Sequence, residues 1–215
     1  MLEPQQEAQP HTQPPSQSQP PSQSQPPSQS QSQSQSASAS ASASAPQSAT
    51  GFTLRVPAEE DAWHWHRVFD HPEVMEFHGG APAELSEYQE LAARQRRHHA
   101  EHGFCMYSMV GTEGEADGAV LGFTGAQPWP HDWGPVGEVE IGWRLGRAYW
   151  GRGYATQAAH AALEAVRAAG VRSVVAMVAA GNERSVAVTR RLGMRHAETF
   201  RTPSGREGYC FRLDL

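Results

Sequence analysis

The segment between residues 138 and 169 leads from an alternating strand through a glycine-rich turn directly into a helix. It reads "EVEIGWRLGRAYWGRGYATQAAHAALEAVRAA". Polar and apolar residues alternate over 138–145, as in a half-buried strand, and the apolar residues of 155–169 have helical spacing. Gly151 and Gly153 stand between them, where backbone without side chains can approach a ligand and the unpaired N–H groups of a helix start can bind an anion. The segment therefore predicts a sheet, a helix packed against it and an anion site between the two.

Composition divides the chain at residue 50. Residues 1–50 consist almost wholly of Ser, Gln, Pro and Ala, and their only β-branched residues are Thr12 and Thr50. Such a segment cannot bury enough apolar surface to offset the entropy lost on ordering, so we expect a disordered low-complexity tail. Residues 51–215 have the length of one ordinary domain with a sizeable core.

Charge and cysteine usage exclude several classes of protein. The formal net charge is −6 and the chain contains 17 Arg but no Lys, a balance that argues against a nucleic-acid partner. No apolar run approaches the ~20 residues that cross a bilayer, so no membrane partner is expected. Cys105 and Cys210 are too few for a disulfide framework, and we expect a cytoplasmic protein with two ordinary thiols.

Hydrophobic periodicity predicts an α+β fold around a mixed sheet, with the order β-α-α-β-β-β-α-β-α-β-β. Proline at the first helical position and glycine after the last one mark the ends of several helices. The predicted strands are 52–56, 104–110, 119–126, 138–145, 173–179, 196–200 and 208–215. Four helices are predicted: one that begins at Pro57, one over 83–102, one over 155–169, and one from an N-cap at Asn182 to a stop at Gly193. Residues 71–80 are predicted to form a connector.

Two common nucleotide-binding motifs do not explain the glycine turn. A phosphate-binding loop of the nucleotide-hydrolase type requires a lysine, which the chain lacks. A dinucleotide fingerprint requires a third glycine or alanine where Thr156 stands, and it follows a strand that is buried on both faces rather than one that alternates. Both readings are rejected.

The same turn resembles the pyrophosphate loop of the GNAT superfamily, whose members transfer an acetyl group from acetyl-CoA to an amine. "EVEIGWRLGRAYWGRGYATQA" is similar to the ribosomal-protein N-terminal acetyltransferase-like branch. "LRVPAEEDAWHWHRVFDHPEVMEFHGG" resembles the opening strand and first helix of that branch, and "AGNERSVAVTRRLGMRHAE" resembles its N-x-x-S helix and next strand. The three matches occur in the right order over nearly all of residues 51–215. They imply a GNAT-type fold, a mixed central sheet with a splayed strand pair.

The resemblance also implies a site for acetyl-CoA as co-substrate. The diphosphate would lie against the backbone of the glycine turn and the start of the following helix, whose dipole favours an anion. The pantetheine arm would lie between strands 138–145 and 173–179. The implied cofactor-binding residues are Trp143, Arg144, Leu145, Gly151, Arg152, Gly153, Tyr154, Ala155 and Asn182.

Acetyl transfer to an amine requires a neutral amine and a proton for the departing thiolate. Glu140 is the candidate base, because it matches the "E-I-G" position of the branch. It shares a strand face with Glu138, and this pair of like charges is expected to raise one carboxyl pKa. The alternative is that both carboxylates belong to a solvated strand face. His131, in the loop "WPHDW", is a minor candidate for the base.

Ser185 is the candidate acid, because it lies three residues after Asn182 on the same helix face. The alternative is a small polar residue in a first helical turn, just as Asn182 is also a favoured helix cap. Tyr154 is a second candidate acid. No metal is expected: His98 and His102 have a spacing that can bind metal, but without a carboxylate partner they fit a solvated helix face.

The predicted function is an N-acetyltransferase that transfers the acetyl group directly, without a covalent intermediate. The acceptor is expected to be a protein N-terminal α-amine or a small amine. An α-amine, with a pKa of about 7.7–8.0, needs only a modest base. The alternatives are a non-catalytic acyl-CoA-binding regulator and an enzyme for a polyamine, an amino acid or an antibiotic. We expect a monomer or homodimer, with an acceptor groove built from residues 70–82, 127–137 and 201–208.

Overall fold

The computed structural model describes residues 51–215, which form seven strands and five α-helices. The strands are β1 (Phe52–Arg55), β2 (Met106–Gly111), β3 (Val120–Pro128), β4 (Val139–Leu145), β5 (Ser173–Ala179), β6 (Arg195–Arg201) and β7 (Glu207–Asp214). The helices are α1 (Asp61–Val68), α2 (Pro72–Met75), α3 (Leu85–His102), α4 (Tyr154–Ala168) and α5 (Glu183–Arg191). The disorder expected for residues 1–50 lies outside the described residues.

The seven strands form one mixed sheet in the order β1-β2-β3-β4-β5-β7-β6. Neighbouring strands are antiparallel except β4 and β5, which are parallel and pair only at Glu140 and Val175. Beyond this pair the two strands diverge, so the backbone edge of β4 at residues 143–145 has no partner strand on the β5 side. The predicted α+β class and splayed strand pair are confirmed.

The alternation in β4 assigns its side chains to two different layers. Ile141 and Leu145 are buried in the apolar layer that α4 covers. Glu140 and Arg144 point to the opposite face, where α1 and α3 pack through Trp65, Phe69 and Tyr88. Polar side chains of β4 are thereby enclosed beneath two helices instead of facing water.

Helix α1 begins later than the sequence predicts. Pro57 was expected at its first position, but the helix begins at Asp61, whose buried carboxylate accepts a hydrogen bond from the N–H of Ala58 at 2.9 Å. Arg55 donates two hydrogen bonds of 2.7 Å to the same carboxylate, and Ser108 donates one of 2.6 Å. This buried cluster holds the preceding residues in a turn, which local sequence patterns do not show.

The predicted connector 71–80 contains the one-turn helix α2. His71 caps it by accepting a hydrogen bond from the N–H of Glu73 at 3.2 Å, and Pro72 occupies the first turn. Helix α3 ends as predicted at Gly103, which is left-handed with a φ of 80°. Within residues 51–215 no helix is both long and apolar enough to cross a membrane.

Candidate active site

The divergence of β4 and β5 opens two cavities that share a wall. The large cavity has a volume of about 1150 Å³ and the small cavity about 670 Å³. The large cavity extends from the β4–β5 pair towards α3 and the β6–β7 hairpin, whereas the small cavity extends towards the start of α4. The residues common to both walls are Phe77, His78, Trp143, Arg144, Asn182 and Ser185.

The glycine turn forms one end of the small cavity. Gly151 and Gly153 have left-handed φ values of 75° and 77°, which side chains other than glycine adopt at a cost. No acceptor among the described residues takes a hydrogen bond from the N–H groups of residues 151–156. The first hydrogen bond of α4 runs from the N–H of Gln157 to the carbonyl of Gly153, at 3.1 Å. These free amides and the helix dipole give this end of the cavity the properties of an anion site.

Most residues assigned to the cofactor line the small cavity. They are Trp143, Arg144, Leu145, Gly151, Gly153, Tyr154, Ala155 and Asn182. Arg152 is exposed and does not line it, because the two left-handed glycines leave the intervening residue on the water side of the turn. The ring of Tyr154 packs edge-on against Phe52, with 5.4 Å between ring centroids, and Tyr154 does not line the large cavity.

Ser185 connects β4 to α5 at the shared wall. The side chain of Asn182 accepts a hydrogen bond from the N–H of Ser185 at 3.1 Å, which confirms the predicted helix cap. The indole Nε1 of Trp143 donates to the Oγ of Ser185 at 3.3 Å, across the gap between the diverging strands. Since Ser185 accepts in this contact, its own hydroxyl proton is free to be donated into the cavities.

Glu140 lines the large cavity and stands at the end of a chain of hydrogen bonds. The side-chain amide of Gln127 donates to its carboxylate at 3.4 Å, and Gln95 donates to Gln127 at 2.7 Å. The N–H of Met106 donates to Gln95 at 2.9 Å, which fixes the order of donors along the chain. Burial raises the pKa of Glu140 to about 7, an effect that the hydrogen bond from Gln127 partly opposes. At neutral pH this carboxyl can therefore both accept and release a proton.

The expected pairing of Glu138 with Glu140 is wrong. Arg212, on β7, donates two hydrogen bonds to Glu138, one of them 2.8 Å long, and this contact lowers the pKa of Glu138. The raised pKa of Glu140 comes instead from desolvation, since β4 faces α3 at this point. Arg212 lies 74 residues from Glu138 in the sequence, so no local pattern indicates the pair.

Two arginine side chains, Arg144 and Arg94, lie on the wall of the large cavity, and the sequence assigned neither of them to the acceptor side. The resemblance gave Arg144 a role near the pantetheine, yet its guanidinium points to the α1–α3 face and lies 5.3 Å from the ring centre of Phe69 and 5.5 Å from that of Phe123. Arg94, on α3, lines the same cavity. The alternation of β4 was the available signal, because it places Arg144 on the strand face of Glu140.

His78 lies on the walls of both cavities and was not assigned either. Partial desolvation and the positive charge of Arg144 lower its pKa, so its imidazole is neutral near pH 7. The sequence placed it in a connector before two glycines, with no periodic pattern to show which way it faces.

Aromatic rings form the outer part of the large cavity. The ring of His131 lies 4.8 Å from that of Trp129 and 5.2 Å from that of Trp133, and Trp133 contacts Phe200 at 5.8 Å. Trp129, His131 and Trp133 and the segment Glu76 to His78 belong to the loops expected to form a groove, whereas Phe200 lies on β6. In the described part of the chain, no group of three or more His, Cys, Asp or Glu residues is arranged to hold a metal ion.

A family model described as "Acetyltransferase (GNAT) domain" matches residues 52–195. The uncharacterized protein YkkB of Bacillus subtilis (strain 168) is 28% identical over 135 residues, which cover 62% of this chain and 75% of that protein.

Two solved structures show the shared fold. The acetyltransferase of Agrobacterium tumefaciens str. C58 superposes with a TM-score of 0.63 at 23% identity, over 79% of this chain and 94% of that one. The yncA protein of Salmonella typhimurium, whose structure contains its cofactor acetyl-CoA, superposes with a TM-score of 0.59 at 16% identity, over 77% of this chain and 94% of that one.

Proposed function

The chain belongs to the GNAT acetyltransferase family, and from this premise we propose that it transfers the acetyl group of acetyl-CoA directly to a primary amine. The observation that carries the proposal is the pair of adjacent cavities, which have six lining residues in common. The small one ends in free backbone amides, and the large one holds a carboxyl whose pKa is near 7. A cofactor and an acceptor bound on the two sides would meet at Trp143 and Ser185.

The small cavity fits acetyl-CoA in charge and shape. The free N–H groups of residues 151–156 would hold the diphosphate, and nothing lies within 4 Å of where a side chain at Gly151 would begin. The backbone edge of β4 at residues 143–145, which β5 leaves unpaired, would hold the amides of the pantetheine arm as a strand holds a peptide. When bound, acetyl-CoA supplies an acetyl group activated as a thioester.

Glu140 and Ser185 would move the protons. The amine nitrogen forms a bond to the acetyl carbon while the bond from that carbon to sulfur breaks. Glu140, as a carboxylate in the large cavity, accepts the proton that the amine loses. Ser185, which lines both cavities and whose hydroxyl proton is free, would donate a proton to the departing thiolate and would regain one from solvent, while Glu140 releases to solvent the proton it accepted.

The proposal also names a class of acceptor. The motif "YWGRGYAT" is similar to the ribosomal-protein N-acetyltransferase-like branch, which supports a protein N-terminal α-amine or a small amine.

The two free cysteines, Cys105 and Cys210, are consistent with a reducing compartment such as the cytoplasm. We propose a monomer or homodimer.

Two measurements on the full chain test the proposed function. Calorimetric titration with acetyl-CoA is expected to show binding, and a thiol-release assay over a panel of primary amines is expected to show turnover that depends on the amine. Binding without amine-dependent thiol release would contradict an acetyltransferase and would identify a CoA-binding regulator. Absence of acetyl-CoA binding would contradict both.

A further inference from the structure

Two arginine side chains on the wall of the large cavity, Arg144 and Arg94, form no salt bridge with a carboxylate of residues 51–215. The hydrogen-bond partner of Arg144 is the neutral phenol of Tyr88, and Arg94 has only the charge of Glu90, one turn earlier on α3, in its neighbourhood. The Nε atom of each is buried without a partner. Buried polar groups are nearly always hydrogen-bonded in folded proteins, and because both arginines line the large cavity, a ligand bound there can supply the partner that each Nε atom lacks.

Arg144 is the more enclosed of the two. Its guanidinium lies over the rings of Phe69 and Phe123 and close to the phenol of Tyr88. Ring faces attract a cation but carry no net charge, and arginine remains protonated at any pH at which a protein is folded. A charge that is taken from water without an opposite charge is costly, which favours a functional reason for placing it here.

The other acidic groups of the cavity wall do not neutralise these arginines. Glu76 forms an ion pair with Arg184 at 3.6 Å, and Glu207 forms one with Arg201 at 3.2 Å. Glu140 is bonded to the neutral amide of Gln127. The enclosed part of the cavity therefore contains one carboxyl group, which titrates near neutral pH, and two guanidinium groups that have no carboxylate partner. Its charge is positive.

Acetyl-CoA does not supply the missing negative charge. Its diphosphate would lie at residues 151–156, at the far end of the small cavity, while Arg144 stands at the wall that both cavities share. The part of the cofactor that reaches this wall, the pantetheine arm with its thioester, is uncharged. Of the two substrates, the acceptor is therefore the one that can bring a negative charge to this wall.

We propose that the amine acceptor also carries a carboxylate, which Arg144 binds while the amine faces Glu140. This inference rests on the proposed function and names its substrate class. Glu140 and Arg144 lie on one face of β4, roughly 13 Å apart between Cα atoms at the usual strand rise. Gly142, which lies between them, also lines the large cavity, and arginine binds a carboxylate through two parallel hydrogen bonds.

Arg94 adds a second positive charge and makes the cavity unfavourable for acceptors that carry only amines. A polyamine would bring further cations next to two unpaired guanidinium groups, and like charges that lose their water repel strongly. The amino-acid alternative among the small amines fits this charge pattern. A peptide whose first residue is acidic has the same two groups and is the other source of this chemistry.

Matched acceptors test the inference. Free amino acids and their carboxamides have the same amine and side chain, and differ only in the carboxylate. Thiol release is measured for both sets, for diamines, and for peptides with an acidic or neutral first residue, with each rate divided by the neutral fraction of the amine. The wild type is expected to prefer the carboxylate form by at least tenfold in kcat/KM, mainly through KM. Arg144→Gln is expected to remove that preference, and Arg144→Lys to keep part of it.

Arg67→Gln is the matched control, because Arg67 also contacts an aromatic ring, that of Trp63 at 4.7 Å, but lies outside both cavities. It is expected to keep the wild-type preference. Acetyl-CoA binding by each variant shows that the fold is intact. A preference for carboxamides or diamines in the wild type, or an equal loss on both members of a pair in Arg144→Gln, would overturn the inference. A preference confined to peptides with an acidic first residue would support it and identify the source of the carboxylate.

A binding measurement separates this inference from the proposed function. Free amino acids, their carboxamides and the acidic peptides are titrated into the full chain in the presence of CoA, where no turnover occurs. Carboxylate binding that Arg144→Gln weakens at least tenfold would support the inference even if no amine were ever acetylated. Binding that Arg144→Gln leaves unchanged, or no binding of any carboxylate, would overturn it even if other amines were acetylated.

Discussion

At the scale of single residues, the neighbours of Glu140 determine its chemistry. Enclosure between β4 and α3 raises its pKa to about 7, whereas the hydrogen bond from Gln127 stabilises the ionised form and limits the rise. Glu138, two residues earlier, has a lowered pKa because it is paired with Arg212. The pKa values of these two carboxyl groups are thus shifted in opposite directions, and only that of Glu140 suits proton transfer at neutral pH.

The pH dependence of the reaction should follow Glu140. Only the carboxylate form accepts a proton, so the rate per neutral amine should fall about tenfold per pH unit below pH 7 and level off above it. Glu140→Gln should lower kcat by about 100-fold and remove this acid limb. Glu138→Gln is the control and should keep the limb. A wild-type acid limb in Glu140→Gln would contradict the assignment.

Gln127 should determine the pH at which the acid limb of the pH–rate profile has its midpoint. Gln127→Leu removes the hydrogen bond that lowers the pKa of Glu140, so the midpoint of the acid limb should move to higher pH. Ser108→Ala is the matched control. Ser108 lies on β2 of the same sheet, outside both cavities, and its substitution removes a buried hydrogen bond to Asp61 on α1. It should lower stability by about 1 kcal/mol with an unchanged midpoint. A pH–rate series on both variants checks this, and an unshifted midpoint in Gln127→Leu would refute it.

At the scale of elements, the site depends on how β4 leads into α4. The strand diverges from β5 beyond Glu140 and Val175, and the chain then turns through two left-handed glycines into the helix. This turn leaves six successive N–H groups, residues 151–156, without acceptors in the described part of the chain. The proposed cofactor end of the site is therefore a property of backbone geometry rather than of charged side chains, as the exposed position of Arg152 also indicates.

A pair of glycine substitutions separates backbone strain from cofactor binding. Gly153 and Gly170 have φ values of 77° and 79°, and both flank α4, one at each end. Alanine at either position should cost about 1–2 kcal/mol of stability, because both must adopt the left-handed region. Only Gly153→Ala should also raise the Kd for acetyl-CoA, by at least tenfold in a calorimetric titration. Equal affinities in the two variants would show that the turn does not contact the cofactor.

At the scale of the whole molecule, local patterns predicted the elements well. Strand β5 is observed at 173–179 as predicted, and α4 begins one residue before its predicted start, because alternation and helical spacing are properties of consecutive residues. The glycine turn could be placed for the same reason. The start of α1 was misplaced because it depends on Asp61, Arg55 and Ser108, which meet only in the folded chain.

The polar contacts around Glu140 and Glu138 could not be predicted, because they join residues that are distant in the sequence. Gln95 reaches Gln127 over 32 residues, and Arg212 reaches Glu138 over 74. The position of Arg144 over Phe69 likewise requires α1 to pack on β4. Sequence resemblance predicted a set of site residues, most of which line the two cavities, but the charge balance of the large cavity emerges only from the three-dimensional packing.

The central claim is that the two adjacent cavities hold acetyl-CoA at residues 151–156 and the acceptor beside Glu140. The most direct test follows the backbone amides of the ¹⁵N-labelled chain by NMR while acetyl-CoA is added. The account predicts that the largest shifts occur at the N–H groups of 151–156, followed by those of 143–145. Saturable binding that leaves the amides of 151–156 unchanged would contradict it.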